Sequence, residues 1–254
     1  MDTPIPPQLP TGTPPPLNAH AAPPGANPSE QAPIRGFVAA IETVLREPRR
    51  VMFQLRQPGA GTVVTALLTV AIVSAAIYGL VVGTFSGKEQ LWAAPVKIAG
   101  GLLVSALICL PSLFIFATLG GATARVSEVF GILAGKLALT TILLIGFAPV
   151  AWVFSQSTES IAWMGVLHLA FWAIAAFFGA RFLHAAFAHL VKSGLGIKVW
   201  IVVYLLVALQ MTTALRPILG TAETFFPKEK KFFLAHWNDV MESAAKVTPS
   251  KRND

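Results

Sequence analysis

TVVTALLTVAIVSAAIYGLVVGTF, residues 62–85, contains no charged side chain. At about 1.5 Å of rise per residue, a helix of this length runs about 36 Å, enough to cross a hydrocarbon core about 30 Å thick. Four further apolar blocks follow at 98–121, 137–155, 161–183 and 199–219, parted by short polar turns. The chain therefore reads as all-α. Residues 57–220 form a polytopic transmembrane helix bundle of about five spans.

Composition leads to the same class. Apolar residues make up 54% of the 254 residues and charged residues 12%, against about 25% charged in an ordinary soluble domain. The formal net charge of +7 could point to nucleic acid, but the basic residues sit beside apolar spans, where insertion rules and anionic headgroups account for them. Membrane lipids are the expected partners and nucleic acid is not. Cys109 is the only cysteine and falls within a span, which leaves no disulfide framework and no thiolate metal site within one chain.

Outside the spans, residues 1–33 hold eleven prolines and no Lys or Arg. Proline fixes φ and removes backbone donors, and large apolar side chains are few, so a disordered Pro-rich tail is expected. It reads as a solvated tether, with Pro14, Pro15 and Pro16 as the place where a protein partner's aromatic groove could dock. Residues 34–56 carry Phe37, Ile41, Val44 and Leu45 at helical spacing, with Arg35, Glu42, Arg46 and Glu47 on other faces. This pattern predicts an N-terminal interfacial amphipathic helix, broken at Pro48. Arg49, Arg50 and Arg56 then precede the first span as an orientation signal.

The basic residues set a direction. Arg125 and Lys136 flank the second turn, and Arg181, Lys192 and Lys198 follow the fourth block, whereas the opposite connections carry Lys88, Glu89 and Lys97 or only Glu159. The excess of Lys and Arg places the N terminus on the cytoplasmic side, in a bacterial inner membrane by expectation. Residues 221–254 read as an interfacial and polar C-terminal tail, with Phe225, Phe226, Phe232, Phe233 and Trp237 among lysines. Five spans put this tail outside, while its lysines favour the inside. A re-entrant or sixth crossing near 119–132 would reconcile the two.

Candidate functional or packing residues are few. Gly79 and Gly83 form a GxxxG pair in the first span, and Gly131 and Gly135 form another in the loop region. Such pairs serve close helix packing inside one bundle or homo-oligomerisation. Pro111 and Pro149 interrupt two spans and either bend a helix or shape a cavity. His168 is the one side chain well inside a block that could titrate near neutrality, and it reads first as a packing residue. Arg181 and His184 reach toward lipid phosphates. Gln210, Arg216 and Pro217 end the last block.

No acidic residue lies deep in any block, which leaves proton-coupled transport without its usual carrier. No zinc-protease helix, G-x-S-x-G or P-loop pattern occurs. The reading is of a protein that is not an enzyme, with no catalytic set, no metal ligands and no cofactor.

Residues 37–83, with Glu47, Pro48 and Arg49 before a polar turn and Tyr78, Gly79 and Gly83 closing the first span, resemble the opening of Yip1-domain membrane proteins. That resemblance implies a five-span layout with a cytoplasmic N terminus, and in eukaryotes a role in vesicle trafficking through prenylated small GTPases. Gln210, Met211, Leu215, Arg216, Pro217 and Gly220 resemble the closing segment of uncharacterised bacterial integral membrane proteins. Two functions follow as expectations. One is a scaffold or organiser that recruits partners or senses lipid at the membrane surface. The other is a permease or channel subunit whose polar route is lined by Pro111, Pro149, His168 and the strip from Gln210 to Arg216. Convergence of His168, Thr212 and Arg216 on a hydrated cavity would favour transport, and dry packing would favour the scaffold.

Overall fold

The computed structural model describes residues 23–86, 90–157 and 161–214. Three short helices, α1 (Pro28–Gln31), α2 (Phe37–Arg46) and α3 (Pro48–Gln54), precede five long ones, α4 (Ala60–Ser86), α5 (Gln90–Leu119), α6 (Val126–Ser157), α7 (Ile161–Ala188) and α8 (Leu195–Ala214). Four stretches, Ala60–Phe85, Leu91–Leu119, Val126–Ser157 and Trp163–Ala188, are long and apolar enough to cross a membrane. The protein is thus an all-α, multi-pass membrane bundle. Within the described residues α8 contributes a shorter apolar stretch, Leu195–Met211, and the rest of the expected fifth block, through residue 219, lies outside them.

Two span edges differ from the sequence reading for one physical reason. Lys136 and Lys97 serve there as boundary charges, but α6 begins ten residues before Lys136 and α5 seven before Lys97. Both lysines are buried within their helices instead of standing at a water-facing edge. Gly131 and Gly135 accordingly lie inside α6 and not in a loop. The segment near 119–132 is no extra crossing. Gly121 takes a left-handed φ of 90°, and Ala122 and Gly121 donate backbone bonds to the carbonyls of Ala117 and Thr118, a glycine C-cap that ends α5 at once. Pro111 and Pro149 face outward along unbroken helices.

The central pair is α4 with α6, with α5 laid on α4, α7 on α6, and α8 on α5. Lipid offers no hydrophobic drive for this assembly, so close approach supplies it. At Gly79 an added Cβ would lie 2.5 Å from the Cα of Pro95, which identifies Gly79 as the point where α4 and α5 meet backbone to backbone. Gly83 is buried one turn on. At Gly131 an added Cβ would strike the side chain of Leu55, and at Gly135 that of Phe182. Both pairs pack inside the bundle.

The N-terminal segment folds back onto one end of it. The chain breaks at Glu47 and Pro48 as the sequence predicts, Pro48 occupying the first turn of α3, where a missing N–H costs nothing. α2 buries Ala40, Thr43 and Val44 against α4 and α6. Residues 23–33, expected within the disordered tail, are ordered. The Glu30 carboxylate accepts from Arg49 Nε at 2.8 Å and from the backbone of Gly25, while Arg50 and Gln54 donate to the carbonyls of Ala32 and Gln31. Residues 1–22 lie outside the described residues. Arg56 completes the attachment through a 2.6 Å ion pair with Glu128 in the first turn of α6.

Acid should loosen this attachment. Burial raises the Glu30 pKa, but the hydrogen bonds from Arg49, Gly25 and Asn27 outweigh it and hold the carboxyl below its ordinary value. Its contribution is therefore present above about pH 4.3 and lost below. His189 is also held low, by burial and then by the charges of Arg49 and Arg56, so the docked state favours its neutral form and loses support as pH falls through about 6.5. We expect amide exchange over residues 28–54, corrected for its intrinsic pH dependence, to quicken several-fold from pH 7.5 to pH 5 and further below pH 4.3. Equal protection at all three would refute the assignment.

Candidate functional site

The most unusual environment in the fold surrounds a residue that the sequence reading placed at a loop edge. Lys136 is only 4% exposed and lies ten residues into α6, about 15 Å from its start. Its Nζ sits 3.3 Å from the centroid of the Tyr204 ring, a cation–π contact in an environment where water does not compete. Its stem runs past α7 at Gly179, where an added Cβ would lie 3.5 Å from both Cγ and Cε. No carboxylate pairs with it among the described residues. A lysine within membrane-spanning segments usually faces the bundle interior and marks a functional position.

Around Lys136, α5 and α8 are locked together. Trp200 is fully buried, and its Nε1–H donates to the Cys109 carbonyl and to Ser112 Oγ, each at 3.0 Å. Its ring stacks on Tyr204 with centroids 5.2 Å apart. The Tyr204 hydroxyl, also buried, has no hydrogen-bond partner among the described residues. Cys109 packs as a buried core residue. Cys109, Lys136, Gly179 and Tyr204 thus come from four helices to one level of the bundle.

A second polar contact lies nearer the opposite end. Tyr78 of α4 and His168 of α7 are linked at 2.6 Å between the hydroxyl and Nδ1, and Phe171, itself stacked on Phe147, flanks the imidazole edge-on. His168 therefore sits in dry packing, and its Nε2 has no partner among the described residues. A small cavity of about 10 Å³ between Ala71, Leu102 and Thr141 has room for about one water.

The other singled-out residues disperse. Arg181 and His184 line an open groove of about 400 Å³ between α7 and α8, with Phe177, Ala180, Ala185 and Ile201. Arg181 lies 5.9 Å from the Phe177 ring. Gln210 is exposed near the far end of α8. Arg216, Pro217 and the Thr212 side chain lie outside the described residues, so the convergence that would mark a transport route reduces to His168 alone. Among the described residues, no group of three or more His, Cys, Asp or Glu side chains could hold a metal ion.

Sequence reasoning misses Lys136 because a single charge beside an apolar block reads as its edge. The signal was there: apolar residues and two helix-packing glycines precede it at 129–135. Trp200 and Tyr204, one turn apart in an apolar block, were the matching sign on α8. No family model matches the chain, and no curated protein or solved structure matches it either.

Proposed function

We propose that the protein is a membrane-embedded scaffold that holds its N-terminal segment on one end of the helix bundle and from there presents the Pro-rich tail to a partner. The observation that carries this reading is the attachment of residues 23–56. Arg49 with Glu30 fastens α1 to α3 within that segment, and Arg56 with Glu128 ties its end to α6, while α2 packs against α4 and α6. A segment built this way fixes where residues 1–22 leave the membrane surface. The dry surroundings of His168 support an anchor over a permease. The basic residues at this end favour the cytoplasmic side of what we propose is a bacterial inner membrane, and the resemblance of residues 37–83 to Yip1-domain proteins fits a recruiting role.

Photo-crosslinking from positions within residues 1–22 in living cells tests this. A defined set of crosslinked proteins should be captured by the intact chain. It should shrink when Arg49→Gln and Glu128→Gln release the segment, and vanish when residues 1–33 are removed and the probe is moved to α2. A set that stays the same after removal would exclude recruitment by the tail.

A further inference from the structure

Helices joined by a short connection usually lie side by side, but α8 rests on α5 and touches α7 only sparingly. The gap is the open groove of about 400 Å³, within the range of about 300–1,000 Å³ usual for ligand sites. It lies at the end that carries the N-terminal segment, because Phe182, next to Arg181, meets Gly135, which also neighbours Val51 of α3.

Its mouth is basic. The Arg181 guanidinium lies 5.9 Å from the Phe177 ring and makes no ion pair among the described residues, which leaves its planar fork of donors to face a phosphate. His184 reaches toward the start of α8, where a Cβ added at Gly194 would lie 3.6 Å from Nε2, and its ring carries an N–H donor in either charge state. Lys198, exposed one turn before Ile201, adds positive charge from α8. Among the described residues no carboxylate lines the groove.

Depth decides what this mouth meets. Trp92, Trp152 and Trp163 are exposed near the start of α5, the end of α6 and the start of α7. All three lie at the opposite end, where tryptophans mark a bilayer interface. From Trp163, Arg181 lies about 27 Å along α7 and His184 about 32 Å, where a hydrocarbon core about 30 Å thick gives way to headgroups. Phe177, about 6 Å deeper than Arg181, and Ile201 wall the groove on its apolar side. A groove that is basic at phosphate level and apolar below suits a phospholipid. A second copy docked here about a twofold axis would bring Arg181 against its own copy, like charge on like.

We propose that the α7–α8 groove holds one anionic phospholipid of the leaflet at that end, its phosphate paired with Arg181 and His184 and an acyl chain lying against Phe177 and Ile201. This site does not depend on the scaffold role.

The test is native mass spectrometry of the full-length protein in a neutral detergent, titrated with dioleoyl phosphatidylglycerol, dioleoyl phosphatidylcholine or oleate. One phosphatidylglycerol should bind about fivefold or more tighter than phosphatidylcholine, whose ammonium the basic mouth repels. Arg181→Gln should weaken phosphatidylglycerol about tenfold or more and remove the preference, and Arg181→Lys, which keeps the charge without the fork, should fall between. Arg46→Gln removes the same charge from the exposed face of α2 and should change nothing. Ile201→Trp fills the groove without altering its charge and should exclude both phospholipids. Equal binding of the two phospholipids by the wild type, or equal losses in Arg181→Gln and Arg46→Gln, would overturn the proposal in favour of diffuse surface charge. Unchanged binding in Ile201→Trp would remove the groove from it. Displacement of phosphatidylglycerol by oleate at matched concentration would give the groove to a single-chain acid, and a dimer that Ile201→Trp dissolves would give it to a second copy of the chain; either overturns the proposal.

Discussion

Replacing Gly79 with alanine is expected to destabilise the bundle by about 1–3 kcal/mol, the range typical of overpacking. The same exchange in an unobstructed helix has the opposite sign, since alanine is about 1 kcal/mol more favourable than glycine in a helix interior. The reversal follows from what the new methyl meets. At Gly79 it would lie 2.5 Å from Cα and 2.8 Å from N of Pro95. Those are backbone atoms of α5, so no rotamer change can relieve the clash. The two helices must separate, and contact is lost along α4 and α5 in both directions. Gly146 in α6 is the matched control, because an added Cβ there meets nothing within 4 Å. Unfolding midpoints in a denaturing detergent titration should fall for Gly79→Ala, stay level or rise for Gly146→Ala, and be unmeasurable for Gly79→Leu because it fails to assemble. A Gly79→Ala protein as stable as the wild type would remove the close approach from the account. The face of α4 around Gly79 is occupied by α5, which leaves it no room for a second copy of the chain.

The contrast between these glycines shows which parts of the fold the sequence carried openly. Gly79 was legible because GxxxG in an apolar block has one common use, close helix packing, although the partner helix was not. The break at Pro48 was legible because it needs only local sterics. The order of residues 23–33 was not, since it depends on Arg49, Arg50 and Gln54 reaching back across some twenty residues of chain. Lys136 was hidden for a related reason. A soluble helix marks its buried face with an apolar stripe, but α4 to α8 are apolar on all sides, so periodicity does not say which side meets another helix. The meeting of Lys136 with Tyr204, or of Tyr78 with His168, is a property of packing alone.

The basic residues divide along similar lines. Read as a group beside the first span, they give direction. Individually, several serve the fold: Arg49 and Arg56 hold Glu30 and Glu128 across long sequence separations. Arg46 with Glu42 is a highly exposed helix pair of a kind worth little. Arg181, facing the α7–α8 groove, makes a ring contact with Phe177 and no ion pair among the described residues. Charge counting alone would treat these arginines as equal. Their surroundings separate the ones that fasten the N-terminal segment from the one that faces outward, and the acid sensitivity expected of residues 28–54 belongs only to the first kind.

Trp200→Ala is expected to release α8 from the bundle, at a cost of about 3–5 kcal/mol, the usual range for truncating a large buried aromatic. The effect should be concentrated on one interface, since α8 rests mainly on α5 and Trp200 is its largest fully buried side chain. Cys109 offers a direct readout. It is the only cysteine in the chain, is buried, and supplies one of the oxygens that the indole N–H binds. Once the indole is gone, a membrane-permeant maleimide should label Cys109 at least about tenfold faster, because tenfold corresponds to only about 1.4 kcal/mol of opening free energy. Trp200→Phe separates packing from hydrogen bonding. The ring remains, and the Cys109 carbonyl still accepts from Ser112 Oγ at 2.8 Å, so the loss should be about 0.5–1.5 kcal/mol with only a modest rise in labelling. If alanine and phenylalanine label alike, α8 is held by something other than the indole. If alanine alone opens the site, Tyr204 loses its stacking partner in the same step, and Lys136 loses the ring that covers its charge.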